Sequence, residues 1–535
     1  MTKEVIKDKE FSEGIKAGID LLADAVKDTF GPMGRTVIIK NPFGEMVVTK
    51  DGVSVAESIE LDPDTIEAIG ANLVKNVALK VNNLVGDGTT TASVLAQAIY
   101  SEGLKQLALG REANEFKKGV KIASTDLLKA ISKERKSVTT DDETLKSVAM
   151  VSSNNDEALA SMITEIYEEL GTNAVISLDQ GNSLITEYNV VKGMHFDRGY
   201  LSPYGVTDKI KMKIEHENPL ILIYDGKISE FKQIYAAVEY AGTKGRPLII
   251  VAENVQESAL RGLVVNHAAG NVHSAVVMSP GYGNKRVERL RDMAIMFNAQ
   301  VVDKETTPEN FNPDDLGECK KVEITSTDSA FIGGAGSNEE IEARAKFIES
   351  QIEHYAGNKY EIDILETRLG KLTGGVAVIK IGAATKEEGK EIFDRAEDCK
   401  HAVKAALQEG VVEGGGMALF NAAEKLEKIK FKSEVSESLQ AGYLTMLRAA
   451  REPFRQIIRN SGKIPEVIES KLGTVHKGYD VRKDTYVKTM KAAEIIDPYK
   501  VVRIALESSV SIVGTLLTSN YAIINEDDTT TKTFQ

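Results

Sequence analysis

Cysteine and histidine are scarce in this chain of 535 residues, which has two cysteines, seven histidines and no tryptophan. Two cysteines, Cys319 and Cys399, cannot build a disulfide framework, so we expect a reducing cytoplasmic location. The cysteines and histidines also lack the close spacing of a zinc site. The N-terminal residues have no apolar signal core, and no uninterrupted apolar run approaches the roughly 20 residues of a membrane span. We therefore expect a cytoplasmic protein without a membrane partner.

An excess of basic residues is also missing, because 66 lysines and arginines face 80 aspartates and glutamates, a net charge of −14. A nucleic-acid-binding protein normally presents a basic face, so we expect no nucleic-acid partner. The pattern Gly-x-x-x-x-Gly-Lys-Ser/Thr occurs nowhere, which argues against a P-loop nucleotidase. The remaining composition, 42% hydrophobic and 27% charged, is typical of a globular protein of several domains.

The pattern along the chain changes from helical to mixed and back to helical. Apolar residues at three- and four-residue steps, from Ile15 to Val26 and from Phe116 to Ile131, predict helices in the first part. Two β-rich runs around an Asn-Pro-Phe-Gly turn, at 41–44, predict a hairpin there. Short apolar runs such as "PLILIYDG" and "RPLIIVAENV" alternate with helical stretches in the middle, which favours an α/β domain. One economical arrangement inserts this α/β domain into a helical domain made from both chain ends.

The stretch "VGDGTTTASVLAQAI", at 85–99, holds a candidate anion site. Glycines allow close approach of a ligand, and a helix start offers free amides and a positive dipole end. Asp87 would repel phosphate unless a cation lies between them, and Mg²⁺ favours this combination of ligands. The alternative is an ordinary helix that a threonine caps after a glycine turn. Further segments with weaker nucleotide-site chemistry are "DTFGPMGR", "TKDGVS", "RAEDCKH", "EGVVEGGGMAL", "KGYDVRKDTY" with Tyr479 in a turn, and "IIDPYKV".

Taken in this order, the segments resemble a divergent member of the group I chaperonins, the GroEL type of ATP-driven folding chamber. The likeness runs from about residue 11 to 524, and "FDRGYLSPY" and "GGVAVIKIGAAT" also belong to it. It implies a multidomain α+β fold with a mostly helical equatorial domain, a small intermediate domain and an inserted α/β apical domain. The implied boundaries are 1–136 and 410–524 for the equatorial domain, 137–190 and 377–409 for the intermediate domain, 191–376 for the apical domain and 525–535 for a flexible tail.

The resemblance implies an ATPase with ATP and Mg²⁺ as cofactors and K⁺ as a further candidate. Asp87 would bind Mg²⁺, Asp51 would lie beside the attacking water, and Asp398 would orient or deprotonate that water. The implied nucleotide-binding residues are Thr29, Phe30, Gly31, Pro32, Lys50, Gly88, Thr89, Thr90, Thr91, Val151, Ser152, Gly415, Tyr479, Val481, Ile495 and Asp497.

The same resemblance implies non-native polypeptides as partners, bound on exposed apolar side chains of the apical domain. The matching residues are Tyr200, Tyr204, Tyr235, Val238, Leu260, Val264 and Val265. Without the resemblance, such apolar stripes would be read as core packing. The implied assembly is a seven-membered homo-oligomeric ring, single or double, with a co-chaperonin lid as a further partner. Leu109 and Ile464 depart from the residues usual at the ring–ring surface, which makes a single ring, or a nucleotide-dependent split of the rings, a serious alternative.

Two other functions fit the same pattern. One is a holdase or scaffold of chaperonin fold that binds ATP but barely hydrolyses it, and it could act without a co-chaperonin. The other is a small-molecule kinase with the same phosphate cradle, but the sequence shows no acceptor site. We therefore expect an ATP-hydrolysing folding chamber.

Overall fold

The computed structural model of the protein describes residues 3–40, 46–172, 174, 176–181, 183–196, 198–209, 211–281, 283–303, 305, 311–354, 359–431, 433–473 and 475–525. The helices are Asp8–Lys27 (α1), Gly52–Ser58 (α2), Ile66–Val85 (α3), Thr89–Ala108 (α4), Ala113–Ser132 (α5), Glu143–Ser152 (α6), Glu157–Leu170 (α7), Tyr235–Lys244 (α8), Glu257–Ala268 (α9), Gly283–Phe297 (α10), Asn338–His354 (α11), Lys359–Thr373 (α12), Lys386–Glu409 (α13), Met417–Leu426 (α14), Glu437–Ala449 (α15), Glu452–Asn460 (α16), Pro465–Glu469 (α17) and Tyr499–Leu516 (α18).

The strands are Lys3–Lys7 (β1), Val37–Lys40 (β2), Met46–Thr49 (β3), Ile176–Gln180 (β4), Glu187–Val191 (β5), Gly193–Phe196 (β6), Ile214–Glu217 (β7), Leu220–Tyr224 (β8), Lys227–Ile228 (β9), Leu248–Ala252 (β10), Asn254–Val255 (β11), Ser274–Met278 (β12), Val301–Val302 (β13), Gly317–Ile324 (β14), Ser329–Gly334 (β15), Val376–Ile381 (β16), Val411–Glu413 (β17), Gly478–Asp480 (β18), Thr485–Val487 (β19), Ile496–Pro498 (β20) and Tyr521–Asn525 (β21).

The chain divides into two compact units. Unit 1 comprises Met1–Glu168, Gln180–Ile185 and Ile381–Gln535, and unit 2 comprises Glu169–Asp179 and Thr186–Lys380. Unit 1 therefore contains both chain ends, and unit 2 is inserted in it. The finer division into equatorial, intermediate and apical domains stays a prediction.

Unit 1 is built on long helices whose apolar faces meet. Helix α1 packs on α3 and α4, α5 packs on α15, and α18 packs on α3, α4 and α5. Ile15, Ile19, Leu22 and Val26 are fully buried on α1, so the predicted helix and its inner face are confirmed. Full burial of such a side chain stabilises the fold by about 1.5–3 kcal/mol.

Strand pairs join distant parts of unit 1. β1 at the start of the chain pairs antiparallel with β21 near its end, and Lys3 lies opposite Asn525. Asn525 is the last residue of a strand, so the predicted tail cannot begin at this residue. The rest of the predicted tail, 526–535, lies outside the described residues. β2 and β3 pair antiparallel as the predicted hairpin, while its turn at 41–45 is also outside the described residues.

Unit 2 is built around a mixed sheet with the strand order β12-β10-β8-β14-β15-β6, in which β13 also pairs with β8 and β7 with β14. β8, β10 and β12 run parallel, and every residue of "LILIY" and "LIIVA" is buried because helices and loops cover both faces. The apolar runs that predicted strands are confirmed here. β14, β15 and β6 continue the sheet in antiparallel order.

None of the helices in the described part of the chain combines the length and the apolar character that a bilayer crossing needs.

Candidate functional site

A cavity of about 800 Å³ lies within unit 1, and its size suits a small-molecule ligand. The predicted nucleotide-site residues all line it. They are Thr29, Phe30, Gly31, Pro32, Lys50, Asp51, Asp87, Gly88, Thr89, Thr90, Thr91, Val151, Ser152, Asp398, Gly415, Tyr479, Val481, Ile495 and Asp497. Residues from eight separate stretches of the sequence thus meet in one place.

The start of helix α4 opens into this cavity without a side-chain cap. Gly88 holds the N-cap position at a φ of 86°, a left-handed conformation that favours glycine. Among the described residues, no side chain caps the first turn by accepting a hydrogen bond from it. By contrast, Thr65 caps α3 and Asp142 caps α6. The threonine-capped helix that the sequence left open is therefore wrong for α4. Its first N–H groups and the positive end of its dipole are available to an anion.

The neighbouring helix α2 borders the cavity beside the start of α4. Asp51 caps it by accepting from Val53 N at 3.0 Å and from Ser54 N at 2.8 Å. A Cβ atom at Gly52 would lie 2.4 Å from Thr90 Oγ1, so only glycine lets α2 approach α4 this closely. Lys50 is exposed at the cavity and forms no ion pair with any residue that the structure describes.

The carboxyl groups in the cavity perturb one another. Desolvation raises the pKa of Asp398 well above its usual range, and the charges of Asp87 and Asp51 raise it further. Desolvation also raises the pKa of Asp87, although the Gly88 N–H donates to its carboxylate at 2.5 Å and opposes the shift. Desolvation and the charge of Asp87 raise the pKa of Asp497 to about 7. The site therefore has an excess of negative charge that a cation would relieve.

The donor atoms fit a hard divalent cation. Carboxylate and threonine oxygens are the ligands of Mg²⁺, which is usually held by one or two carboxylates together with phosphate oxygens. In the described part of the chain, one trio of acids has its ligand atoms within 4.8 Å of one another, Asp179, Glu215 and Glu323 in unit 2. The ammonium group of Lys321 forms ion pairs with all three of those acids. Those three acids thus already share a cationic partner, whereas Asp87 forms no ion pair with any residue that the structure describes.

The wall on the side of Phe30 is largely apolar. Phe30 packs on a buried cluster that includes Ile457, Tyr479 and Met490. The Asn460 amide donates to Phe30 O at 2.8 Å and fixes this turn, a contact that sequence analysis missed. Tyr479 lies on strand β18 and not in the turn that the sequence predicted, because β18 pairs with β19. This wall suits the flat face of a base.

Comparison with known proteins shows the family of this chain. A sequence model of the TCP-1/cpn60 chaperonin family matches residues 22–527. The chain belongs to the TCP-1/cpn60 chaperonin family. The recognition of a divergent group I-like chaperonin and of its multidomain α+β fold is thus confirmed.

Two solved structures of one relative have the same fold as this chaperonin. They are crystal forms II and I of the chaperonin gp146 from the bacteriophage EL 2 (Pseudomonas aeruginosa), both in the presence of ATP-BeFx. Form II has 22% identity and a TM-score of 0.69, and form I has 23% identity and a TM-score of 0.62. Each match covers 98% of this chain and 99% of the other chain.

One cavity residue of the chaperonin was missed although the sequence contains a sign of it. Arg395 lies on α13 three residues before Asp398, so the two side chains share a helix face. Arg395 forms ion pairs with Asp156 at 3.2 Å and with Glu391 at 2.8 Å. The pair with Asp156 fastens α13, which carries Asp398, to the turn before α7.

The predicted polypeptide-binding residues all lie in unit 2, but they do not share one surface. Tyr235 is 46% exposed on α8, and Val264 and Val265 are 37% and 65% exposed on α9. Leu260 is half-buried beside them. The Phe231 ring lies 6.2 Å from the Tyr235 ring and packs against Gly262 of α9, so it extends this apolar surface. We call these side chains, Phe231, Tyr235, Leu260, Val264 and Val265, the apolar rim.

Three of the predicted polypeptide-binding residues lie outside the apolar rim, contrary to expectation. Val238 is 5% exposed and packs in the core of unit 2, because the inner face of α8 covers the sheet there; its predicted exposure is wrong. Tyr204 is half-buried, and its hydroxyl lies 3.3 Å from Ser274 Oγ. Tyr200 is half-buried against the core on the other side of the sheet, where it bridges to Val277.

Proposed function

We propose that this protein is an ATP-dependent chaperonin that binds non-native polypeptides, encloses them in a ring-shaped chamber and releases them through ATP hydrolysis. The observation that carries the proposal is the uncapped start of α4, which faces a group of mutually repelling carboxyls in a cavity of ligand size. A chaperonin would use such a cavity to bind its nucleotide. The presence of ATP-BeFx with the phage relative supports a nucleotide as its ligand.

The phosphates of ATP would lie at the start of α4, where the free N–H groups and the hydroxyls of Thr89, Thr90 and Thr91 donate to their oxygens. The Lys50 ammonium, which also lines the cavity, would add positive charge. Asp87 would hold Mg²⁺, which supplies charge neutralisation to the phosphates when it is bound. The apolar wall at Phe30 would take the adenine.

Hydrolysis requires that water attacks the terminal phosphorus, that the bond to the leaving ADP oxygen breaks and that the water loses a proton. Asp398 is the candidate acceptor of this proton, and its raised pKa makes its carboxylate a stronger base than an ordinary aspartate. Asp51 would orient the water or the ion while it caps α2. The ion pair of Arg395 with Asp156 would hold Asp398 in position.

The apolar rim would capture polypeptides, since exposed apolar segments are what non-native chains share. A seven-membered ring, single or double, would provide the enclosed volume, and a co-chaperonin would act as its lid. The protein would work in the cytoplasm. The holdase with little turnover remains the function expected if hydrolysis fails the following test.

The test compares steady-state ATP hydrolysis and refolding of a denatured model substrate by wild type, Asp398→Ala and Glu387→Ala. Glu387 is an exposed acid on the same helix and does not line the cavity, so it is the matched control. Asp398→Ala should lower the turnover rate about 100-fold or more and retain ATP binding. Equal, negligible hydrolysis by all three proteins would overturn the proposal and leave the holdase.

A further inference from the structure

Three of the seven histidines of the chain lie side by side in unit 2, although the sequence separates them. His216 is on β7, His267 is near the end of α9, and His273 directly precedes β12. The ring centres of His267 and His273 are 5.2 Å apart, and those of His216 and His273 are 6.1 Å apart. We call these three residues the histidine cluster.

These distances suit a shared metal ion. Two imidazoles that bind one ion at about 2.0–2.1 Å in a tetrahedral site have ring centres roughly 5 Å apart. The nitrogens do not yet converge, because the acidic trio around Lys321 is the only described group of three whose ligand atoms lie within 4.8 Å of one another. Rotation of each ring about its Cβ–Cγ bond would redirect its nitrogens while the ring centre moves little.

A second observation points to a missing ligand. His216 Nε2 is buried, and no residue that the structure describes forms a hydrogen bond with it. Buried polar atoms are nearly always satisfied, so an orphaned imidazole nitrogen calls for a partner such as an ion or a water. His273 is exposed, which gives an ion access from solvent.

The cluster is chemically ready to coordinate a metal. Burial and the neighbouring His273 and His267 lower the pKa of His216 to about 4. Burial and the neighbouring His273 lower the pKa of His267. Neutral imidazole is the form that binds metals. His267 Nδ1 accepts one long hydrogen bond, of 3.3 Å, from Ser274 N, and coordination through that atom would cost only this bond.

We propose that the histidine cluster binds one divalent transition-metal ion of the zinc class, separate from the Mg²⁺ site of the nucleotide cavity. Imidazole ligands favour such ions over Mg²⁺ and Ca²⁺, which prefer oxygen. The ion would fasten the end of α9 to β7 and to the start of β12. Since α9 carries Leu260, Val264 and Val265, the ion would stiffen one side of the apolar rim.

The test uses the full chain without an affinity tag, stripped of metals by chelation and kept in excess Mg²⁺ without nucleotide. Co²⁺ is titrated while visible absorption reports imidazole coordination, and Zn²⁺ then competes. Wild type should bind one Co²⁺ per chain, and His273→Gln and His216→Gln should weaken binding about 10- to 100-fold or more. His476→Gln, which removes an exposed histidine of unit 1, is the matched control and should bind like wild type.

The unfolding temperature provides a second measurement. Zn²⁺ should raise it for wild type and for His476→Gln but not for His273→Gln. Because His273 is exposed, its replacement should not disturb folding, so this variant decides the outcome even if His216→Gln fails to fold. No stoichiometric Co²⁺ band, or equal binding by His273→Gln and wild type, would overturn the proposal and leave the cluster as aromatic packing against Tyr204.

Discussion

The charge of Asp87 raises the pKa of Asp398 more than any other neighbouring charge does, and only desolvation has a larger effect. The pKa of Asp87 is itself raised by desolvation and by Asp51. The carboxyls therefore retain protons at a pH at which ordinary aspartates have lost them. A divalent ion at this site would have to displace those protons, so ion binding and proton release should be linked.

This linkage predicts that Mg²⁺-dependent ATP binding weakens as the pH falls. Groups with raised pKa values bind protons more readily at low pH, and the protons compete with the ion. Calorimetric titration in buffers of different ionisation enthalpy, at about pH 6 and about pH 8, counts the released protons. Asp87→Asn should bind ATP more weakly and release fewer protons. Equal proton release by wild type and Asp87→Asn would contradict the assignment of Asp87 to the ion.

Replacement of Asp497 should stabilise the nucleotide-free protein at high pH. The pKa of Asp497 is raised to about 7, so folding favours the protonated form, and stability is lost as the pH rises through that value. Asp497→Asn should raise the unfolding temperature at about pH 8, with a gain of about 1–3 kcal/mol in unfolding free energy. At about pH 4, close to the pKa of an aspartate in the unfolded chain, the gain should be small. Asp314→Asn, which replaces an exposed acid, controls for general charge effects. An equal gain in stability for Asp497→Asn at both pH values would refute the raised pKa of Asp497.

Gly88→Ala should damage nucleotide binding and not only stability. Gly88 has a φ of 86°, and an added Cβ would lie 2.5 Å from Val501 Cγ1. Gly110 has nearly the same φ, 83°, but no neighbouring atom within 4 Å and no place in the cavity. Both alanine variants should lose about 1–2 kcal/mol from backbone strain.

ATP affinity separates the two glycine variants. Gly88→Ala should bind ATP at least about 10-fold more weakly, because its first-turn N–H groups move away from the phosphates, and a 10-fold loss corresponds to about 1.4 kcal/mol. Gly110→Ala should bind like wild type. If both variants bound ATP with unchanged affinity, the start of α4 would not be the phosphate site.

A charge on the apolar rim should reduce capture of non-native polypeptides while ATP hydrolysis continues. Tyr235→Glu and Val265→Glu place a charge where the side chains are 46% and 65% exposed. Phe347→Glu is the matched control, because Phe347 is 47% exposed on α11 of the same unit. Co-sedimentation with a denatured protein should show several-fold weaker capture for the two rim variants only. An equal loss of capture for all three variants would mean that any exposed apolar side chain of unit 2 can bind non-native polypeptides, which would contradict a specific role of the apolar rim.

Periodicity predicted the long helices well, because every third or fourth residue of α1 faces one core. The inward-facing residues of short helices, and the presence of short strands, were harder to predict. The sequence could not show that α8 turns Val238 inward and Tyr235 outward, since both lie on apolar positions and the covering sheet decides between them. The sequence predicts a turn at Tyr479 and does not reveal the strand there, since β18 and its partner β19 have only three residues each.

The predicted nucleotide-site residues could be brought together from the sequence only through the resemblance to chaperonins. Gly88 at the N-cap was not foreseen, since three threonines follow it and each could have capped the helix. The histidine cluster left no trace in the sequence, because its members lie on β7, on α9 and before β12 and become neighbours only when the sheet forms.

The most direct test of the central claim is a structure of the wild-type protein with Mg²⁺ and a slowly hydrolysed ATP analogue. We predict phosphates on the N–H groups at the start of α4, a metal ion on Asp87, and the base against Phe30. A nucleotide bound elsewhere, or a cavity that stays empty at saturating analogue, would contradict the account.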